Sequence, residues 1–177
     1  MGTDAPVHIV PYDPDWPQRF ERERELLLDA IGEWLAGPVE HIGSTAVPGL
    51  PAKPVIDIMA GVESLERSRA ALTVLERCDY CYAPYHADVM HWLCKPSPAI
   101  RTHHLHLVPV DTVLWNEQLA FRDYLRAHDD VAIEYAALKR RLADEHRFDR
   151  DAYTQAKMPF VRRVIATAQR AVARSQE

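Results

Sequence analysis

A glycine and a serine where an apolar strand ends, Gly43-Ser44, and a single aspartate inside the next apolar run, Asp57, are the residues of this sequence whose types and spacing suit chemistry. A Gly-Ser turn lets backbone come close to a ligand, and its amides bind phosphate oxygens without any positive side chain. An acid on the following strand suits the divalent ion that a triphosphate brings. Together they describe half a nucleotide site. The structural alternative is a buried ion pair between Asp57 and Lys53, Arg122 or Lys157, because a carboxylate in an apolar strand must be paired, protonated or bound to something.

The elements that must position these residues follow from the hydrophobic pattern. Pro14, Asp15 and Pro17 open a helix in which Phe20, Leu27, Ile31, Trp34 and Leu35 fall at helical spacing, and Gly37-Pro38 stops it. Val39–Ile42 reads as a short strand delivered into Gly43-Ser44. Pro48, Gly49 and Pro51 mark a loop before the strand 55–62. Ser64 is placed to cap a helix running to about Arg77, and 80–83 with 89–94 form a hairpin turning at His86, Ala87 and Asp88. Residues 102–110 alternate as a strand with His104 and His106 on one face, and from Asp111 onward the pattern is helical. Lys157 precedes Met158-Pro159, where the helix is expected to kink or restart.

The run Glu40-His41-Ile42-Gly43-Ser44-Thr45-Ala46-Val47-Pro48-Gly49-Leu50 with Ala52-Lys53-Pro54-Val55-Ile56-Asp57-Ile58 closely resembles the GrpB family of nucleotidyltransferase-fold proteins, whose members also occur fused behind dephospho-coenzyme A kinases. The likeness continues through Tyr12–Pro17, His103–His106, Phe121–Arg126, Glu134-Tyr135, Leu138-Lys139, and Tyr153 with Lys157. It implies an α/β protein: a nucleotidyltransferase-like mixed β-sheet flanked by helices, with a C-terminal helical bundle. One domain over 1–177 is expected, with 1–110 carrying the sheet core and 111–177 the helical part.

In active relatives of that superfamily, the strand after the Gly-Ser turn carries two acids spaced by one residue, a later strand gives a third, and the acids hold two magnesium ions. Here Asp57 falls at the second acid and Val55 at the first, while His104 or His106 stands where the later acid is expected. Glu40 lies on the same strand face as Ser44 and is expected to form an acidic pair with Asp57. The metal, magnesium or manganese before zinc, is thus assigned to Asp57, Glu40, His106 and His104. Asp57, Lys53 and Glu40 are the catalytic candidates. Gly43, Ser44, Thr45, Arg122, Tyr153 and Lys157 are the candidates for nucleotide or phosphate binding, with Lys53, Arg122 and Lys157 as a basic ring. A separate transition-metal set of His86, His91, Cys94, His104 and His106 is a further alternative.

Two functions follow. One is transfer of a nucleotidyl or phosphoryl group to an acceptor; the other is a non-catalytic nucleotide-binding or assembly module that has lost the two-metal acidic pair. At 177 residues, 47% apolar, 27% charged and with a net charge of -5, the chain has room for one core and no general attraction to nucleic acid or membrane. The expected partner is a nucleotide or other phosphorylated small molecule, with room for a protein partner. Three cysteines argue against a disulfide framework, Cys78 and Cys81 read as structural or redox-silent thiols, and a start without an apolar leader leads to the expectation of a cytoplasmic protein.

Overall fold

The computed structural model describes residues 6–174; the first five residues, read above for the absence of a leader, lie outside them. Helix α1 (Trp16–Ile31) carries Pro17 in its first turn, where a missing N–H has no consequence, and buries Trp16, Leu27 and Ile31. It ends earlier than its periodicity suggests. Gly32–Trp34 form a 3-10 turn and strand β1 (Leu35–Ile42) begins at once, so Gly37-Pro38 lies inside a strand instead of stopping a helix. Two features permit this. β1 is an edge strand, where proline's missing N–H breaks no ladder, and its register slips between Leu35 and Val39. Any side chain at Gly37 would strike Val110 at 2.5 Å.

Strand β2 (Ile56–Val62) follows, then helices α2 (Leu65–Ser68) and α3 (Ala71–Glu76), which divide the single helix expected after Ser64. The Ser64 side chain does cap, accepting from the Arg67 amide at 3.2 Å. The hairpin consists of β3 (Cys81–Tyr82) and β4 (His91–Pro96), shorter on one side than expected and running through Pro96 on the other. Strand β5 (Arg101–Pro109) completes a mixed sheet of order β1-β2-β5-β4-β3, in which β2 and β5 are parallel and all other neighbours antiparallel.

Residues paired across neighbouring strands share a face of the sheet. One face therefore carries Ile56, Ile58, Leu93, Leu105 and Leu107, packed against Trp16, Leu27 and Ile31 of α1 and Leu75 of α3. The opposite face carries Ile42, Asp57, Met59, His104, His106 and Trp92. Helices α4 (Val113–Ala127), α5 (Asp129–Glu145) and α6 (Arg150–Arg174) assemble on that side. Phe121, Leu125, Tyr135, Phe160 and Val164 of these helices form a second core with Val47 and Leu50, so the bundle is built onto the loop after Gly43-Ser44. α6 neither ends nor restarts at Pro159. The proline is exposed, and burial of Tyr153, Phe160 and Val164 on both sides of it holds the helix together. No helix among the described residues is long and apolar enough to cross a membrane.

Candidate functional site

The polar face of the sheet opens into a cavity of about 460 Å³ between β2, β5 and the C-terminal helices. At its floor, register pairs Ile42 with Asp57 and Asp57 with His104. Gly43 follows β1 with φ +70 and ψ -167, a conformation open essentially only to glycine. A Cβ there would lie 2.5 Å from Asp57 Oδ2, so the glycine also makes room for the carboxylate. Ser44–Ala46 then turn as a 3-10 helix. Ser44 lies beside the buried Tyr135 hydroxyl, which burial pushes up in its titration range. Thr45 lines the cavity, but its hydroxyl is engaged: neutral His41 donates from Nε2 at 2.9 Å and Thr45 Oγ1 donates to the Val55 carbonyl at 3.3 Å. Burial drops His41 to about 4, and its ring stacks on Phe20 at 4.7 Å. Thr45 thus braces the turn.

Asp57 is 30% exposed along its side chain and accepts from His104 Nδ1 at 2.8 Å. Burial pushes its acid range up, but the His104 hydrogen bond and the charges of His104, His106 and Lys53 outweigh it and hold Asp57 at about 2. It is a carboxylate at neutral pH. His106 faces the same cavity beside Met90 Sδ at 3.4 Å, and burial, opposed by Asp57, lowers it to about 4.

The basic groups come from α5, α6 and the loop before β2. Lys53 and Lys157 flank the Tyr153 ring, 5.2 and 4.5 Å from its centroid. Lys139 is 2% exposed and donates to the Pro51 carbonyl at 2.5 Å, with its ammonium 4.7 Å from the Tyr135 ring. Burial, with repulsion from Lys157, Arg140 and Lys53, lowers it to about 7; burial and Lys53 lower Lys157 to about 8. Gathering lysines whose charges repel each other out of water is unfavourable until an anion joins them.

Gly43, Ser44, Thr45, Lys53, Asp57 and His104 line the cavity, as do His106, Tyr153 and Lys157. Two candidates stand elsewhere. Glu40 lies on the face of Asp57 but its carboxylate takes Arg122 Nη1 at 2.6 Å, and Arg122 also holds the His41 carbonyl at 3.1 Å and Asp123 at 2.7 Å. Arg126 likewise donates to the Ala46 carbonyl at 2.9 Å. Both arginines clamp α4 to β1 and the turn from behind, so Arg122 stands outside the basic ring and Glu40 forms no acidic pair with Asp57. Lys139 was missed among the candidates: it stands four residues after Tyr135 and three before Leu142, but a lone cation beside an apolar helical stripe shows its burial only once the helix is packed. Arg101 and Arg150, at the cavity's edge, were missed as well.

A two-magnesium site needs several oxygen ligands. Val55 supplies none, Glu40 is held by Arg122, and Asp57 Oδ1 is taken by His104, so the residues present do not fit that pair. Among the described residues no group of three or more His, Cys, Asp or Glu side chains is arranged to hold a metal ion. The histidine and cysteine set does not assemble: His91 points to the opposite face and its Nε2 bonds the Leu65 carbonyl at 2.9 Å.

A family model described as GrpB protein matches residues 6–167. A UPF0157 protein of Pseudomonas aeruginosa is 37% identical over 171 residues, covering 94% of this chain and 69% of that protein. The crystal structure of conserved protein GrpB from Enterococcus faecalis superposes with a TM-score of 0.84 at 35% identity, covering 93% of this chain and 99% of that one. A dephospho-CoA kinase of Mycolicibacterium paratuberculosis is 33% identical over 190 residues, which span 89% of this chain and 45% of the kinase.

Proposed function

The chain belongs to the GrpB family, and from that premise we propose that it binds a nucleotide or another phosphorylated small molecule, with lysines in place of a metal pair neutralising the phosphates. One observation carries this reading: Lys53, Lys139 and Lys157 converge on a single cavity whose floor carboxylate, Asp57, is already bonded to His104. The volume of about 460 Å³ suits a nucleotide. Gly43 offers close backbone approach, and Lys53 and Lys157, both held over the Tyr153 ring, offer two cations. Magnesium-dependent nucleotidyl transfer would require oxygen ligands that Val55 and Glu40 do not provide, and this favours binding without the two-metal pair. The partial match to a dephospho-CoA kinase adds coenzyme A precursors to the phosphates worth testing, and a kinase domain to the protein partners.

The test is thermal unfolding in EDTA with nucleoside triphosphates, dephospho-coenzyme A and pyrophosphate in turn. A ligand at a hundred times its dissociation constant adds about 2.7 kcal/mol of stability. A rise in melting temperature that disappears in Lys157→Met is expected. No rise with any phosphorylated compound contradicts the proposal.

A further inference from the structure

Lysine is rare in this chain. Of its 21 lysines and arginines only Lys53, Lys95, Lys139 and Lys157 are lysines, and three of those four line the main cavity. Arginine would hold an anion as well or better, through a planar fork of donors that stays charged at any ordinary pH; what it lacks is an amine that can lose its proton and attack carbon. A chain that uses arginine almost everywhere else and lysine here is equipped for more than neutralising phosphate. The cavity lysines differ in how their amines are held. Lys139 is 2% exposed and its amine is engaged by the Pro51 carbonyl. Lys53 and Lys157 lie over the same Tyr153 ring. Among the described residues the Lys157 amine makes no hydrogen bond or ion pair, and its contact is the face of that ring. The buried polar side-chain atoms left without a partner there belong to Trp16, His91 and His104, so the unbonded Lys157 amine is accessible, on a residue that lines the cavity.

We propose that Lys157 is a nucleophile whose amine forms an imine with the carbonyl carbon of a phosphorylated aldehyde or ketone held in the main cavity. This rests on the phosphate-binding reading above and adds the class of ligand. The nitrogen of the neutral amine bonds twice to the carbonyl carbon, both bonds from that carbon to oxygen break, and the oxygen leaves as water with the two amine protons. Nothing is oxidised or reduced, and no further reactant is needed. The surroundings supply the neutral amine. Burial and Lys53, from the loop before β2, bring Lys157 down to about 8, and Lys139 of α5 is a further cation that repels it. Asp57 of β2 opposes them, but its carboxylate is already bonded to His104. At pH 7.5 about a quarter of such an amine is unprotonated, against about a thousandth of an ordinary lysine. Burial beside a second cation is a recognised way to activate a lysine toward carbonyl carbon.

The experiment uses the full chain with pyridoxal 5′-phosphate as the phosphorylated aldehyde, borohydride to fix the imine and peptide mass spectrometry to locate it, beside calorimetry of pyrophosphate binding to the same protein. At pH 7.5 Lys157 is expected to be labelled about tenfold faster, or more, than Lys95 and than free Nα-acetyl-lysine amide. Pyridoxal without its phosphate should label it about tenfold more slowly, and pyrophosphate should protect it, because a bound anion both fills the site and keeps the amine protonated. The labelling rate should rise with pH to a midpoint near 8. Label spread evenly over the lysines, or a midpoint in the ordinary lysine range near about 10.4, overturns this inference and leaves the binding reading intact if pyrophosphate binds. Fast label at Lys157 that is indifferent to pyrophosphate and to the phosphate of the aldehyde overturns the ligand class proposed. Absence of pyrophosphate binding together with absence of label at Lys157 overturns both.

Discussion

Replacing Lys139 with methionine separates the penalty of burying a charge from the packing of the chain that carries it. Lys139 is 2% exposed and its ammonium range is lowered to about 7 by burial and by neighbouring cations. In the unfolded chain the same group titrates at about 10.4. Between these values the unfolded state binds more protons than the folded one, so stability rises with pH over that window. Below about 7 the folded protein bears the full penalty, which is relieved as pH climbs toward 10. Integrated from pH 6 to pH 9, this one group makes wild type more stable by roughly 2.5 kcal/mol. Lys139→Met removes that dependence and also the bond to the Pro51 carbonyl, worth about 1 to 3 kcal/mol. Urea unfolding of both proteins at several pH values should show the variant equal to or more stable than wild type at pH 6 and less stable at pH 9, with a relative change near that integrated value. Parallel pH profiles would refute a buried, titrating Lys139.

Gly43→Ala should destabilise the fold by about 1 to 3 kcal/mol, since the backbone there suits only glycine and a Cβ would press on Asp57; urea midpoints check this. Arg122→Ala should cost about 2 to 3 kcal/mol by leaving Glu40 unpaired, less than a fully buried pair because Glu40 keeps some solvent, yet leave anion affinity within a few-fold because neither residue lines the cavity. Anion binding favours the charged lysines, so affinity for pyrophosphate should fall as pH rises from 7 to 9 through the ranges of Lys139 and Lys157. Calorimetry in buffers of different ionisation enthalpy should show proton uptake on binding near pH 8; constant affinity with no uptake would contradict it.

The parts of the site that reveal themselves in sequence are those that break a local pattern. Asp57 interrupts an apolar strand, and Gly43-Ser44 ends one, so each is visible without a partner. Alternation correctly placed Glu40 on the face of Asp57, as the pairing of Glu40 with Met59 and of Ile42 with Asp57 shows. What alternation does not contain is that Arg122, 82 residues away, would reach that carboxylate first. Local pattern also misjudged Leu35, whose helical spacing from Ile31 was overridden by pairing with Val62 at the sheet edge. The order of elements came from periodicity, while the mixed character of the sheet came from the family resemblance, because a pattern of apolar residues does not say which strands pair or in which direction. Lys139 enters the sequence reading only as part of the family resemblance, because a single lysine in a helical stretch gives no sign of burial until the helix is packed.

The most direct measurement is calorimetric titration of ATP into wild type and Asp57→Asn, each in EDTA and again in excess magnesium. If lysines neutralise the phosphates, ATP binds in EDTA, magnesium adds little, and Asp57→Asn binds at least as tightly because a negative charge has left the cavity floor. Binding that requires magnesium and is abolished in Asp57→Asn would contradict this and return the site to metal-dependent transfer.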